Sequence, residues 1–324
     1  METTSLLDTV TSIVTNNFKI FSGGVGDRNY LEKIRRLSEI SPITEISVKW
    51  EKEQDIIFAN TVIGKFISPS AKDLPIESKQ AEFLFVKPKN FSKDSPIVLL
   101  LAAAGEKGFT KRLFTMSIPL AQSGVASIIL ENSFSGSRRI QNDYPRNTNS
   151  ISDFFKMIES TIEEGKSIVH YFNEMGYQKI VVSGVNFGGS ISALIAATSR
   201  LGISAVPCLA PDSPSKVYTE SEISHSIDWS AFRKDFIDKE SPLKFVKEIF
   251  SQIDIAKIPA PKRADACILV GAKRDNFILP GSIQSIQDHW KISELRWIDS
   301  GHTGSFLFHT GDFREAILDS IDRI

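Results

Sequence analysis

The sequence predicts an α/β protein built on a mostly parallel, doubly wound sheet with a helical cap insertion. Three observations carry this expectation. From residue 80 onward, strand-like apolar runs alternate with helical patterns across short connections, the order that builds parallel β-α-β units. The run PIVLLLAAAG (96–105) is apolar without interruption, as a parallel strand covered on both faces must be. The alternation breaks once, at a polar stretch rich in Ser, Asp and Lys between Pro211 and Pro261.

Composition sets the frame. The 324 residues suffice for one large α/β domain, and 41% hydrophobic with 24% charged residues suits a globular chain with a sizeable core. A net charge of -1 offers no electrostatic attraction to nucleic acid. No apolar run approaches the roughly 18 residues that span a bilayer. Cys208 and Cys267 lie in the apolar runs AVPCLA and ACILVG and read as buried free thiols, which points to a reducing, intracellular setting, cytoplasmic or mitochondrial. Their spacing is not that of a zinc site, and no cofactor is implied.

In chain order, Leu6, Val10, Ile13, Val14, Phe18 and Phe21 fall at helical spacing before Gly23-Gly24. The N-terminus is therefore expected to form an amphipathic helix docked on the domain. It lacks the basic n-region and continuous apolar stretch of a signal peptide. Contact of residues 5–21 with a membrane surface is the alternative use of such a face. EISVKWEKE (45–53) and NTVIGKFISP (60–69) alternate apolar and polar residues, suggesting antiparallel strands at a sheet edge. Residues 1–60 are read as an N-terminal helical extension and edge strand. Residues 61–324 are read as the core, with the cap insertion at about 211–262.

Within the core, strands are expected at EFLFVKP (82–88) and PIVLLLAAAG, a helix around Thr110–Gln122, and a strand at VASIIL (125–130). The loop ENSFSGSRR leads to an amphipathic helix, roughly Ser152–Met175. Next come the strand KIVVSG, a helix to about Ser199 and the strand ISAVPCLA (203–210). Trp229, Phe232, Phe236, Phe245 and Phe250 are expected to pack the underside of the insertion. The alternation resumes with ADACILVGA (264–272), a helix near Gly281–Trp290, the strand ELRWID (294–299) and a final helix from about Phe306.

KIVVSGVNFGGSISALIA (179–196) reads as a buried strand, a tight glycine turn and a helix. Its Gly184-Val185-Asn186-Phe187-Gly188 has the spacing of the G-x-S-x-G nucleophile elbow of α/β-hydrolases, with Asn186 at the centre. Such a site also needs an oxyanion donor after an early strand, then an acid and a histidine on late loops, in that order. Asp275 follows a buried strand and precedes a helix, which makes it the acid candidate. His302, in RWIDSGHTGSFLF between Gly301 and Gly304, is the histidine candidate. The turn at Ala104-Gly105 after PIVLLLAA could offer a free N–H to a carbonyl oxygen, with the Phe187 N–H as second donor. Each part alone is a common feature. The ordered set, each at the C-terminal end of a core strand, is where open α/β sheets bind ligands. Arg138 and Arg139 follow VASIIL and either line this cleft, facing an anionic group, or form a solvated pair.

The chain also resembles the eukaryotic α/β-hydrolase domain-containing protein 18 family. The resemblance rests on the N-terminal helix before a Gly pair, ILENSFSGSRR (129–139), GVNFGG, Pro207-Cys208-Leu209, and the block from about Val270 to Ile324 with SIQSIQDHW and GDFREAI. It implies a Ser-Asp-His hydrolase framework with Asp275 and His302 as acid and base, and a serine where this chain carries Asn186. The human-type members carry a longer insertion at 211–262, so substrate selection by that region does not transfer.

A carboxamide cannot serve as Ser does, because its nitrogen lone pair is delocalised. Loss of a serine nucleophile costs on the order of a millionfold in turnover, about 8 kcal/mol of barrier. Asn tolerates positive φ, so Asn186 keeps the turn while removing that reactivity. Ser183 and Ser190 end the strand and begin the helix, out of line with His302. Deamidation of Asn186 would create a carboxylate, a route that the bulky Phe187 disfavours. The leading expectation is a catalytically inactive or impaired member, a pseudoenzyme with a binding or assembly role and a cleft for a small or lipid-like acyl ligand. The alternatives are an ester or lipid-acyl hydrolase using water activated by His302–Asp275, and a structural subunit of a larger complex with protein partners.

Overall fold

The computed structural model describes residues 5–16, 19–32, 42–140, 148–236 and 242–324, without the side chains of 13–16. Helix α1 (Leu6–Asn16) opens the chain and α2 (Arg28–Leu31) follows a glycine turn. Strands β1 (Lys49–Trp50), β2 (Gln54–Ile56), β3 (Ala59–Ile67) and β4 (Gln80–Pro88) form the antiparallel edge. The parallel part then begins. β5 (Ile97–Leu101) leads through α3 (Thr110–Arg112), a π turn at Leu113–Ser117 and α4 (Ile118–Gln122) to β6 (Ala126–Leu130). After α5 (Ile151–Glu174) come β7 (Ile180–Val185), α6 (Phe187–Thr198) and β8 (Ser204–Cys208). The cap holds α7 (Pro214–Glu220), α8 (Trp229–Phe232) and α9 (Pro242–Phe250). The chain returns to the sheet with β9 (Ile268–Ala272), α10 (Pro280–Trp290), β10 (Glu294–Ile298), α11 (His302–Phe308) and α12 (Thr310–Ile321).

The strand order is β1-β3-β4-β6-β5-β7-β8-β9-β10, with β2 on β3, and every pairing from β6 to β10 is parallel. This is the α/β-hydrolase fold. The strand order turns at β5, with β6 on one side and β7 on the other, so the crevice above the ends of β5 and β7 is the topological switch point.

Alternation along each strand feeds two cores. Ile97, Leu99 and Leu101 of β5 pack on the side of α5, α6 and α10, whereas Val98 and Leu100 face α4 and α12. That period of two is the geometry of a strand buried on both faces. Helix α5 starts with a capping box, the Ser150 side chain accepting from Asp153 N–H and Asp153 reaching back to Ser150 N–H. The two exchanges satisfy N–H groups that the first turn leaves free.

Helix α1 differs from its expected form. It ends at Asn16, and it docks by a polar face: Asp8 and Ser12 are buried while Leu6, Leu7 and Val10 are exposed. Phe18 lies outside the described residues. Phe21 is buried beyond the helix, against Phe154, Tyr218 and Phe250. Among the described residues no helix is long and apolar enough to cross a membrane. Phe232 and Phe250 are fully buried beneath the cap, where Phe250 stacks on Tyr218 and Phe155.

Candidate active site

The elbow between β7 and α6 exists because three glycines let backbones touch. A Cβ at Gly184 would meet the Gly188 backbone at 2.5 Å, one at Gly188 the Leu101 carbonyl at 2.6 Å, and one at Gly189 the Cys208 carbonyl at 2.7 Å. Real Cβ atoms do not approach so closely, so the close contact of α6 with β5, β7 and β8 depends on glycine at these positions. At the apex Asn186 has φ +57 and ψ -116, held by its N–H to the Cys208 carbonyl at 2.9 Å. Strain of this kind gathers at ligand sites.

Asp275 and His302 arrive from the loops after β9 and β10. Asp275 is buried, and its Oδ1 accepts from the N–H groups of Phe277 at 2.9 Å and Ile278 at 2.7 Å. Its Oδ2 lies 2.7 Å from Nδ1 of His302. Nδ1 thus donates to the carboxylate, and Nε2 is left as an acceptor. Nε2 stands 3.0 Å from Nδ2 of Asn186. The carboxamide orientation is fixed from the other side: Oδ1 of Asn186 accepts from Phe187 N–H at 2.5 Å, which an amide nitrogen in that place could not do. The carboxamide therefore bridges His302 Nε2 and Phe187 N–H, engaging both.

The turn after β5 brings Ala103 and Ala104 to the cavity wall, while Gly105, at φ +77, sits on the turn outside the lining. Its shape is held from below. Ala103 N–H donates to Oε2 of Glu106 at 3.2 Å, and Oε1 of Glu106 pairs with Nε of Arg112 at 2.7 Å. Arg112 also donates to the carbonyls of Leu100 and Leu130, both at 2.7 Å. Burial pulls the Arg112 guanidinium below its ordinary range, and Glu106 opposes that shift.

A cavity of about 330 Å³ opens from this point. Its walls are apolar: Phe154, Ile158, Phe187 and Leu194 below, and Val217, Tyr218 and Ile255 of the insertion above. Asn186 and His302 lie at one end with Thr11 and Thr303. A few polar groups in an apolar cavity is the usual build of a small-molecule site. Burial pushes the Tyr218 hydroxyl above its ordinary range, so it stays neutral. Burial also raises Cys208, and lifts the Cys267 thiol to about 11, so neither thiol is a nucleophile near neutral pH. Among the described residues no cluster of His, Cys, Asp or Glu is built to hold a metal.

Arg138 is not at the cleft. It is buried, and its guanidinium forks onto Glu164 at 2.8 and 2.6 Å while donating to the carbonyls of Glu131 and Ser78. Its partners lie in α5, in the loop after β6 and in the turn before β4, none of them lining the cavity, which corrects both readings of this residue. Arg139 is half-buried and also outside the cavity lining.

The sequence reading missed Asp8. Its Oδ2 accepts from the N–H groups of His302 at 2.8 Å and Asn276 at 3.2 Å, and its Oδ1 from Thr303 N–H at 2.8 Å. One carboxylate from α1 thus ties the acid loop to the histidine loop. Thr303 also donates to Thr11 on the next turn of α1. Asp8 is the lone charge of that helix, and a single carboxylate inside an amphipathic pattern was the available signal. Asp8→Ala leaves those donors unpaired and is expected to cost about 1–3 kcal/mol, read as a lower urea midpoint at unchanged slope.

Solved structures share this architecture at low identity. An acetyl xylan esterase from Paenibacillus sp. superposes with a TM-score of 0.63 at 14% identity, covering 94% of this chain and 98% of that one. Acetyl xylan esterase 1 from Thermoanaerobacterium sp. gives 0.55 at 14%, over 96% and 98%. The ferulic-acid-bound Est1E of Butyrivibrio proteoclasticus gives 0.53 at 13%, over 75% and 96%. At such identities the likeness establishes the fold alone. Kinship comes from the sequence profile of one family, which matches residues 19–247 and 237–323 and so takes in the elbow, Asp275 and His302. By that match the chain belongs to the alpha/beta hydrolase domain containing 18 family.

Proposed function

We propose that this protein is a ligand-binding member of its family, in which Asn186 stands in the nucleophile position and occupies the hydrolytic site. One observation carries the reading: the Asn186 carboxamide links Phe187 N–H and His302 Nε2 in the lining of an apolar cavity. An acyl carbonyl entering the site competes with Oδ1 for the elbow N–H, and His302 Nε2 meets the Asn186 amide rather than a hydroxyl nucleophile. The cavity's lining fits a ligand with an apolar, acyl-like arm and a small polar end.

A second reading, an ester or acyl hydrolase using water activated at His302, draws on the aligned His302–Asp275 pair. It requires Nε2 to release Asn186 first. The test combines binding and chemistry. The chain is expected to displace a fluorescent fatty acid from itself on addition of a medium-chain fatty acid, and to leave p-nitrophenyl butyrate intact. It is also expected to resist labelling by a fluorophosphonate. Hydrolysis that disappears in His302→Ala, or labelling at any serine of the cavity, would overturn the binding reading in favour of the second.

A further inference from the structure

The geometry that occupies the site also surrounds the Asn186 amide with the groups that amide hydrolysis uses. Asn186 presents its carbonyl oxygen to an N–H donor at 2.5 Å and its amide nitrogen to His302 Nε2 at 3.0 Å. His302 is in turn aligned by Asp275 at 2.7 Å. An amide bond about to be hydrolysed needs this set: a donor on the oxygen to take developing charge, and an acid–base group beside the leaving nitrogen. The cavity of about 330 Å³ that both side chains line has ample room for the attacking water.

We propose that Asn186 is a substrate of its own site: the His302–Asp275 pair hydrolyses the Asn186 carboxamide to an aspartate carboxylate and releases ammonia.

The step balances with water as the only co-reactant. Nε2 first gives up its hydrogen bond from Nδ2–H to the water, whose oxygen bonds to Cγ as its proton passes to Nε2, and the carbonyl pair moves to Oδ1, which Phe187 N–H holds. Pyramidal Cγ ends the delocalisation of the Nδ2 lone pair. Nδ2, a donor to Nε2 in the resting amide, then becomes the acceptor of the proton that Nε2 carries, across the same 3.0 Å. The pair on Oδ1 returns, the Cγ–Nδ2 bond breaks, and ammonia leaves. The acid that remains ionises beside His302. The net change is one amide and one water to one carboxylate and one ammonium ion.

This route avoids the obstacle that Phe187 raises. Ordinary deamidation needs the backbone nitrogen of the following residue to attack Cγ, and here that N–H is committed to Oδ1. It also leaves a mixture of aspartate and isoaspartate, whereas direct hydrolysis leaves aspartate alone. The inference goes beyond the binding role, since it turns the occupied site into one that carries a carboxylate beside a histidine.

The chain contains its own control. Asn90-Phe91 is the same dipeptide, with Asn90 exposed in a turn. The full-length protein is incubated at neutral pH in water enriched in oxygen-18, and peptides spanning both sites are analysed by mass spectrometry. The expected result is conversion at residue 186 about a hundredfold or more faster than at Asn90, with one labelled oxygen and no isoaspartate. His302→Ala and Asp275→Asn each slow residue 186 to the pace of Asn90 and leave Asn90 unchanged. Unchanged circular dichroism and urea midpoints report that these variants remain folded. A wild-type chain isolated with the acid at 186, where His302→Ala is isolated with the amide, counts as the same result. Equal rates at the two sites, isoaspartate at 186, or conversion indifferent to His302 overturns the proposal. Such a failure leaves the binding role standing, because that role falls to a failure to bind fatty acid, to serine labelling or to ester turnover.

Discussion

Asn186→Ser is expected to convert a chain inert to fluorophosphonate into one labelled at residue 186, with ester hydrolysis rising by several orders of magnitude. The rest of the site is already assembled. Nδ1 of His302 is committed to Asp275, so Nε2 is free to accept a hydroxyl proton. A serine Oγ cannot reach back as Oδ1 does, so Phe187 N–H is released to a substrate oxygen beside the Ala104 turn. Removal of the nucleophile in a serine protease costs about a millionfold, or about 8 kcal/mol of barrier, which bounds the gain. The double variant Asn186→Ser, His302→Ala separates true triad chemistry from adventitious labelling, because it loses the signal. Asn186→Ser that folds, binds fatty acid and still fails to label would show that the oxyanion turn is not competent, and would remove the hydrolytic ancestry of this geometry from the account.

Arg138→Ala is expected to be the most damaging single change to stability, at about 3–5 kcal/mol. Glu164 on α5 is fully buried, and Arg138 is its charge partner through two hydrogen bonds. Without the guanidinium, a carboxylate stays in the core without neutralisation, and the carbonyls of Glu131 and Ser78 lose their donors. The loss approaches half the whole stability of a typical domain. Arg138→Met with Glu164→Leu should recover most of it, because a buried ion pair is worth little more than well-packed apolar groups. Chemical denaturation of both variants checks this. A single variant within about 1 kcal/mol of the parent would mean that water reaches Glu164, contrary to its burial.

The two expectations concern residues that the sequence treated in opposite ways. Asn186 was legible. A strand, a glycine turn and a helix leave marks within eighteen residues, and the apex of that turn has one position. Asp275 and His302 were legible by order, since each follows an apolar strand run at the sheet edge where ligands bind. Arg138 was misplaced because a charged pair in a polar loop has no local mark of burial. Its carboxylate partner and the Ser78 carbonyl lie 26 and 60 residues away. Asp8 was passed over for the same reason: its bonds to His302 and Thr303 span 294 and 295 residues.

The final divide follows the range of the interactions. Periodicity, turn chemistry and the order of apolar runs are properties of neighbours in the chain, so the sequence alone determined the sheet, the elbow and the order in which Asp275 and His302 reach it. Which way a carboxamide points is a property of what folding sets around it. Only the tertiary structure decided that Asn186 gives its oxygen to Phe187 N–H and its nitrogen to His302. Tertiary contacts also turned the polar face of α1 inward. Three backbone N–H groups of the loops that carry Asp275 and His302 needed an acceptor, and the cost of burying them unpaired outweighs the apolar surface that α1 leaves in water.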